Sequence, residues 1–205
     1  MPTKNHIILQ SKQLFFQQGI ANTRLQQIAD AVGISVGNLA YHYKNKEAIV
    51  EAVYENLFEE LAAILSQYGV HTGFEGLDKQ FSDLYFFFTN NQFTFNNNWE
   101  IERSYPEIQS RWLSVNTKIL NQLKQRITNC VQIGLLKPEP FKGEHELLCQ
   151  NILIIVNHWI PQQILQKKPV SEKLYKKSLW GILYPNFTAK GQTAFQQTIV
   201  PKGFN

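Results

Sequence analysis

Apolar residues recur every three or four positions along most of the chain, the spacing that brings them to one face of an α-helix. Residues 4–18 place Ile7, Leu14 and Phe15 at this spacing, and Gly19 follows as a residue suited to ending a helix. No segment shows the alternation of apolar and polar residues that is typical of a half-buried β-strand. The pattern therefore predicts an all-α fold.

Two short helices are predicted next. Thr23 and Gln26 have the spacing of a capping box, in which each side chain binds a free backbone amide at the other's position. The helix that they open is expected to end at Gly33, where a left-handed turn costs glycine little. Ser35 can then cap the following helix, because a short hydroxyl side chain accepts a hydrogen bond from an unpaired amide of the first turn.

The rest of the chain reads as a longer helical body. Its middle segment, Ile152 to Trp159, is apolar on almost every side, so it needs cover along its whole length. Pro161 is expected to kink or end that helix. The predicted helices run from about Lys46 to Leu65 after an Asn45 cap, through Tyr85–Phe88 after a loop marked by Gly69, Gly73 and Gly76, from Pro106 to Gly134, from Glu144 to about Gln166, from Ser171 to about Tyr184, and over a weaker C-terminal segment.

Composition narrows the class of protein. The 205 residues are 43% hydrophobic and 13% aromatic, which is too apolar for a disordered chain. The longest aliphatic run, Ile152 to Val156, is far shorter than the ~20 residues of a membrane span. The N-terminus lacks a signal-peptide pattern, and Cys130 and Cys149 could form one bridge at most. These features favour a cytoplasmic protein without membrane association.

The positive charge is concentrated near the N-terminus. The net charge of the chain is +4, and residues 1–47 carry five cations and two anions, a net charge of +3. A basic segment on a nearly neutral body suits binding to a polyanion such as DNA, because positive density releases counterions. A solvated surface with no partner explains the same charge equally well.

Residues 23–47 carry the functional signal. Two helices of about eight residues meet at the Gly33 turn, which is the spacing of a helix-turn-helix, whose second helix enters the major groove of DNA. In that second helix Leu39 and Tyr43 are expected to face the core. Asn38 and Tyr41, together with His42, are then expected to point outward, within reach of bases or phosphates.

These residues resemble the DNA-binding signature of the tetracycline-repressor (TetR) family. The matching runs are Ile28-Ala29, Gly33-Ile34-Ser35-Val36-Gly37-Asn38-Leu39, Tyr41-His42-Tyr43 and Lys46-Glu47, with Ile8-Leu9, Leu14-Phe15, Gly19 and Thr23 upstream. The resemblance implies a homodimer with an N-terminal three-helix DNA-binding domain, residues 1–47, and a C-terminal helical bundle for effector binding and dimerisation, residues 48–205. By position it assigns phosphate contacts to Thr23, Gln26, Ser35, His42 and Lys46, and groove contacts to Val36, Gly37, Asn38 and Tyr41.

The sequence departs from the family pattern at two positions. Ala40 stands where the family usually has an aromatic residue, so Tyr41 is expected to take over that contact. Val36 stands where Lys, Arg or Thr is common, which replaces hydrogen-bonding readout with an apolar contact, for example with a thymine methyl.

The body offers candidates for a ligand pocket and for a dimer surface. Small-molecule pockets are mostly apolar with a few polar groups. The candidate residues are Phe87, Phe88, Trp99, Trp112, Asn116 and His158, with Phe93, Phe95 and Trp159 as further walls and Glu100 and Asn157 as further polar anchors. Aromatic residues at helical spacing serve equally well as core. The apolar helix near residues 147–160 and the stripe after Ser171 are expected to pair with their symmetry mates in a dimer.

Catalysis and metal binding have little support in the sequence. His145 and Cys149 lie four residues apart on one helix, but no third or fourth ligand has suitable spacing, so no metal or cofactor is expected. No grouping of nucleophile, base and acid is evident. We therefore expect a transcriptional regulator, a repressor that a small-molecule effector releases from a pseudo-palindromic operator. The alternative is a DNA-binding module whose body is controlled by a protein partner.

Overall fold

The computed structural model describes residues 4–67, 73–92, 101 and 103–203. Within these ranges the chain is helical, and the predicted all-α fold is confirmed. The one β-type pairing in these ranges is an isolated bridge between Leu136 and Phe187. The α-helices are α1 (Lys4–Gln18), α2 (Leu25–Val32), α3 (Val36–His42), α4 (Lys46–Ser66), α5 (Gly73–Asn90), α6 (Pro106–Gln132), α7 (Glu144–Leu165), α8 (Glu172–Leu183) and α9 (Ala189–Thr198), with 3₁₀ turns at Tyr184–Asn186 and Val200–Lys202.

The chain divides into two compact units. Unit 1 contains residues Met1–Ala63 and Asn91–Trp112, and unit 2 contains residues Ile64–Asn90 and Leu113–Asn205. Unit 1 therefore includes α1 to α3 and most of α4, and unit 2 includes α5, α7, α8, α9 and most of α6.

The core of unit 1 forms as the periodicity predicts. Ile7 and Phe15 of α1, Ile28 of α2 and Leu39 of α3 are all buried, and each comes from the apolar stripe of its helix. Between α2 and α3 the chain turns at Gly33, whose φ of +77° lies in the left-handed region that glycine enters without steric cost. Three short helices can pack around one small core because that turn is tight.

The start of α2 differs from its prediction by one residue. The predicted capping box of Thr23 and Gln26 is wrong, because the N-cap is Arg24 and its backbone N–H donates to Oε1 of Gln27 at 2.8 Å. Thr23 is buried instead, and its hydroxyl donates to the Gly19 carbonyl at 2.7 Å. The residue at which α2 begins is therefore set by packing of the turn between α1 and α2. Sequence preferences for capping residues do not include that packing.

Unit 2 is built around an aromatic cluster and a buried ion pair. Trp180 of α8 makes edge-to-face ring contacts with Phe74 at 5.2 Å and with Phe195 at 5.3 Å between centroids. Its indole N–H donates to Asp78 Oδ1 at 3.1 Å. The other oxygen of this carboxylate accepts from the Lys176 ammonium at 2.8 Å, so the pair is satisfied although both residues are buried.

A hydroxyl extends this ion pair. Lys176 also donates to Ser82 Oγ at 3.2 Å, and Ser82 donates to Glu172 Oε1 at 2.6 Å. The network ties α5 to α8 through two acidic side chains, one lysine and one serine. Such a network stabilises one arrangement of the two helices because a slip of either would leave a buried charge without a partner.

Several later helices depart from the predicted bounds. α5 begins at Gly73 and contains Gly76, so the predicted loop ends earlier than expected, and Gly69 lies outside the described residues. α7 continues through Pro161 to Leu165, so the proline does not end the helix. Ile154, in the segment expected to be covered all round, is 57% exposed in the single chain.

Candidate nucleic-acid interface

One side of α3 is directed outward and the other is packed. Gly37, Ala40 and Tyr41 are exposed at helical spacing, and 86% of Tyr41 is accessible. On the opposite side Leu39 is 1% exposed and Tyr43 9% exposed, so the predicted inward orientation of both is confirmed. A tyrosine side chain with this exposure contributes little to the free energy of folding, and it is accessible to a partner.

The side chains that flank this face are half-exposed. Val36 lies on one flank, and Asn38 and His42 lie on the other. The backbone N–H of Asn38 donates to Ser35 Oγ at 3.1 Å, so the predicted Ser35 cap is confirmed. The rings of Tyr41 and His42 meet edge to face at 5.4 Å. Asn38 and Tyr41 are thus placed where a helix-turn-helix needs its reading residues, outside the core.

Thr23 and Gln26, which the resemblance assigns to phosphate contacts, have partners inside the chain. Thr23 is 1% exposed, and besides donating to Gly19 its hydroxyl accepts from Gln18 Nε2 at 3.2 Å. Its side chain is therefore unavailable to DNA, and Thr23 is left out of the contact set proposed below. Gln26 is exposed, and its amide donates to Asp30 Oδ1 at 2.7 Å.

Lys46 has a structural partner as well as partial exposure. Its ammonium donates to the carbonyl of Ile20 at 3.0 Å and to that of Ala21 at 3.3 Å, which joins the start of α4 to the turn after α1. An ammonium has three protons, so one stays available after these two bonds. Lys46 can bind a phosphate and hold the turn at the same time.

The sequence interpretation missed Lys44. This residue is exposed and lies two positions after the end of α3, beyond the extended C-cap Tyr43. Its positive charge next to the predicted second helix was the available signal. A cation at this position adds to the positive charge beside the outward face of α3, which Gly37, Ala40 and Tyr41 form.

The predicted ligand residues do not assemble into one described site. Phe87 and Phe88 are each 1% exposed and contact each other at 5.2 Å, which makes them part of the core of unit 2. Asn157 Nδ2 donates to Asn116 Oδ1 at 3.0 Å, and His158 is exposed. These are the candidate polar groups of unit 2.

Of the aromatic candidates outside unit 2, Trp112 lies within the described residues. Trp112 belongs to unit 1, where its ring meets Phe58 at 5.5 Å. Trp99 lies outside the described residues, as do Phe93, Phe95 and Glu100. Arg111 lies over the same Phe58 ring at 4.6 Å and forms an ion pair with Glu55.

Unit 1 also contains a groove that the sequence did not suggest. It is lined by Glu47, Glu51, Ser104, Tyr105, Pro106, Glu107 and Ile108. None of the predicted ligand residues is among them. Its three carboxylates make it unsuited to anions, including DNA phosphates.

Two other classes of site are absent from the described part of the chain. Within residues 4–67, 73–92, 101 and 103–203, no three His, Cys, Asp or Glu side chains are grouped so that they could hold a metal ion. Across the same ranges, none of the helices combines the length and the apolar content needed to cross a bilayer.

A short helix pair with a tight turn, an outward second helix and a cationic flank defines a helix-turn-helix regulator of transcription. Residues 7–53 match the family model described as bacterial regulatory proteins, tetR family, and residues 53–195 match the one described as bacterial transcriptional repressor. The second match covers more than half of the chain, so the protein belongs to the tetR family of bacterial regulatory proteins. The predicted resemblance is confirmed, and regulators of this family bind DNA and usually act as dimers.

Curated relatives match over a short segment. The chain is 33% identical over 57 residues to the transcriptional regulator TtgR of Pseudomonas putida, and 36% identical over 53 residues to AcrR of Shigella flexneri. These segments cover 28% and 26% of this chain and 27% and 25% of those proteins. The matched part is therefore about a quarter of the relatives' length.

Solved structures match over nearly the whole chain. A TetR-family regulator from Marinobacter aquaeolei has a TM-score of 0.83 at 18% identity, with 93% of each chain covered. PfmR of Thermus thermophilus has a TM-score of 0.72 at 20% identity, covering 87% of this chain and 97% of that one. FadR of Bacillus subtilis, solved in complex with stearoyl-CoA, has a TM-score of 0.67 at 18% identity, with 88% and 98% covered. At these identities the likeness shows the fold.

Proposed function

We propose that the protein is a cytoplasmic, homodimeric repressor that binds a pseudo-palindromic operator and leaves it when a small-molecule effector binds. Residues 1–47 are the DNA-binding domain, and residues 48–205 bind the effector and form the dimer. The observation that carries this proposal is the outward face of α3, where 86% of Tyr41 is exposed while Leu39 holds the helix on the core. The chain acts by binding and carries out no catalysis.

The proposed DNA contacts fall into two groups. Side chains near the start of α3 enter the major groove: Val36, Gly37, Asn38 and Tyr41. Side chains around that helix contact the phosphates: Gln26, Ser35, His42, Lys44 and Lys46. The division follows the docking of helix-turn-helix proteins, in which phosphate contacts fix the position of the protein and base contacts select the sequence.

The proposed dimer uses the exposed apolar residues of unit 2. Leu147 and Ile154 of α7 are 51% and 57% exposed in the single chain, and Leu174 of α8 is 40% exposed. Burying such residues against a second copy removes apolar surface from water. A two-fold dimer also supplies the paired heads that a palindrome needs. Sedimentation at micromolar concentration should give about twice the 23.8 kDa of one chain.

Effector control is proposed to act through α4. This helix begins at Lys46, at the end of the proposed DNA-binding domain, and continues to Ser66 in unit 2. A small movement of α4 would change the separation of the two recognition helices, which must match half-sites about 34–36 Å apart. An effector that prefers the displaced state a hundredfold would supply about 2.7 kcal/mol of coupling.

The test is operator binding measured at several salt concentrations and then titrated with candidate effectors. A protein that binds duplex DNA should show affinity that falls steeply as salt rises. If DNA binding persists but no small ligand of the body changes it, the effector part of the proposal fails and control by a protein partner takes its place. If no duplex shows salt-sensitive binding, the whole proposal fails.

A further inference from the structure

The reading part of α3 carries no charged side chain. From Val36 to Tyr41 the helix has the sequence Val-Gly-Asn-Leu-Ala-Tyr, and Leu39 is committed to the core. The exposed and half-exposed surface therefore consists of a hydrogen at Gly37, methyl groups at Val36 and Ala40, and the amide of Asn38, beside the Tyr41 ring. In a helix-turn-helix, residues in this early part of the second helix contact the base edges.

The nearby cations lie outside the part of α3 that is proposed to meet the bases. Lys44 follows the end of α3, and Arg24 is the N-cap residue of α2, the helix that crosses the DNA backbone in this motif. Lys46 already donates to the carbonyls of Ile20 and Ala21. None of the three belongs to the early part of α3.

This distribution has a consequence for base recognition. Guanine is most often read by the two donors of an arginine or by a lysine, which bind its O6 and N7 in the major groove. Adenine is read by an asparagine or glutamine amide at N6 and N7, and the thymine methyl is recognised by apolar contact. The early part of α3 has the second set of groups and lacks the first.

We propose that the protein selects operator half-sites in which the bases under α3 are A·T pairs. The amide of Asn38 binds adenine, and the methyl groups of Val36 and Ala40 contact thymine methyls. Among the described residues, Asn38 donates its backbone N–H to Ser35 Oγ, and this bond leaves the side-chain amide for the base. This specificity rests on the proposed function, because it requires that α3 enters the major groove.

The experiment begins with selection of bound duplexes from random DNA by the full-length chain. Each thymine of the selected half-site is then replaced by deoxyuridine, which removes only the 5-methyl group. We expect the affinity to fall about fourfold for each methyl in contact with the protein, in line with the burial of one methyl-sized group. The same replacement outside the half-sites is the matched control and should leave the affinity unchanged.

Two protein variants assign the contacts. Val36→Ala removes both γ-methyl groups, so the deoxyuridine penalty at its thymine should shrink or vanish. Asn38→Ala should lower affinity about tenfold or more for the selected duplex. It should have little further effect on a duplex with 7-deazaadenine at the contacted base, since that base lacks N7. Thermal melting of each variant shows whether the DNA-binding domain, residues 1–47, is still folded.

The outcomes separate this inference from the function on which it rests. Selected half-sites with A·T pairs under α3, together with a deoxyuridine penalty that Val36→Ala removes, support it. Half-sites with guanine at those positions, or equal affinity for thymine and deoxyuridine, overturn the A·T specificity while the DNA-binding regulator remains. Failure to select any duplex with salt-sensitive affinity overturns the proposed function itself.

Discussion

Units 1 and 2 use their polar side chains in opposite ways. In unit 1 the outward face of α3 presents Tyr41 and Asn38 to solvent. In unit 2 the charges of Lys176 and Asp78 are buried and bound to each other, to Ser82 and to Trp180. The outward face of α3 keeps donors and acceptors open, whereas the cluster around Lys176 and Asp78 satisfies them internally.

The difference shows what each unit has to specify. A surface that reads DNA must keep hydrogen-bonding groups uncommitted until the bases arrive, and small side chains such as Gly37 and Ala40 let the helix approach closely. The helices α5 and α8 carry no such surface, so their polar groups can fix how the two helices pack. Substitutions on the outward face of α3 should therefore change the free energy of unfolding little. Substitutions at the buried charges of unit 2 should lower it strongly.

The largest expected effect comes from breaking the buried pair. Asp78→Ala leaves the Lys176 ammonium and the Trp180 indole N–H without their partner, which should lower the free energy of unfolding by about 3–5 kcal/mol. The matched control is Asp83→Ala, which breaks the more exposed pair with Lys79 on the same helix and should cost less than about 1 kcal/mol. Urea denaturation measures both. Equal costs would show that burial of the first pair has no energetic weight.

A pair of glycines sharpens the comparison between the units. In unit 2 a Cβ at Gly191 would overlap the carbonyl oxygen of Leu135, so Gly191→Ala should cost roughly 1–3 kcal/mol. In unit 1 a Cβ at Gly37 would meet only Ser35 Oγ at 3.9 Å, so Gly37→Ala should stabilise α3 by roughly 0.5–1 kcal/mol.

The same Gly37→Ala variant should bind DNA more weakly, because its new methyl lies on the face proposed to approach the bases. Thermal unfolding and DNA affinity, measured on one preparation, check both effects. A variant that gains stability and keeps full affinity would remove Gly37 from the interface.

Lys46 combines the two uses of polar groups in one side chain. Lys46→Ala removes the hydrogen bonds to Ile20 and Ala21, which should cost about 1 kcal/mol, and it should lower the salt slope of DNA binding by about one. Lys44→Ala is the control, because Lys44 is exposed beside the same face. It should change the salt slope without that loss of stability. An unchanged slope for Lys46→Ala would limit that residue to its structural role.

A pH-dependent effect of similar size concerns the two thiols of unit 2. Burial raises the pKa of Cys130 and of Cys149 from 9.0 to about 11. The folded state therefore holds these protons at pH values where the unfolded chain releases them. The stability that they contribute is complete below pH 9 and is lost as the pH rises from 9 to about 11.

By about pH 10 this loss should amount to about 1 kcal/mol for each thiol. Urea unfolding at about pH 7, 9 and 10 under reducing conditions gives the dependence, and Cys149→Ala should make it shallower. The comparison of pH slopes removes the constant cost of the substitution itself. Identical slopes in the variant and the parent would mean that Cys149 ionises equally in both states.

The helices of the DNA-binding domain could be predicted from sequence because their signals are local. The Gly33 turn, the Ser35 cap and the inward Leu39 all depend on residues within one or two helical turns of each other, and each is found as predicted. The capping box failed by one residue because both Gln26 and Gln27 can act as its acceptor. Thr23 is buried and its hydroxyl is bonded to Gly19, so Arg24 is the N-cap and Gln27 the acceptor, a choice that depends on the turn between α1 and α2.

The body could be predicted only as a set of helices. Lys176 and Asp78 are 98 residues apart, and no periodicity links a lysine on α8 to an aspartate on α5. The same holds for Phe87 and Phe88, which sequence alone allows in a pocket or in the core and which packing places in the core. A helical pattern reveals which face is apolar, but what covers that face is set by other helices.

The aromatic surroundings of Trp180 give the body an optical reporter of its own. An indole enclosed by Phe74 and Phe195, with its nitrogen bound to a carboxylate, emits at shorter wavelength than one in contact with water. Displacement of α5 from α8 would admit solvent to that ring and move the emission to the red. In a variant whose other three tryptophans are replaced by phenylalanine, steady-state fluorescence can therefore follow the state of unit 2, during denaturation or while compounds are screened.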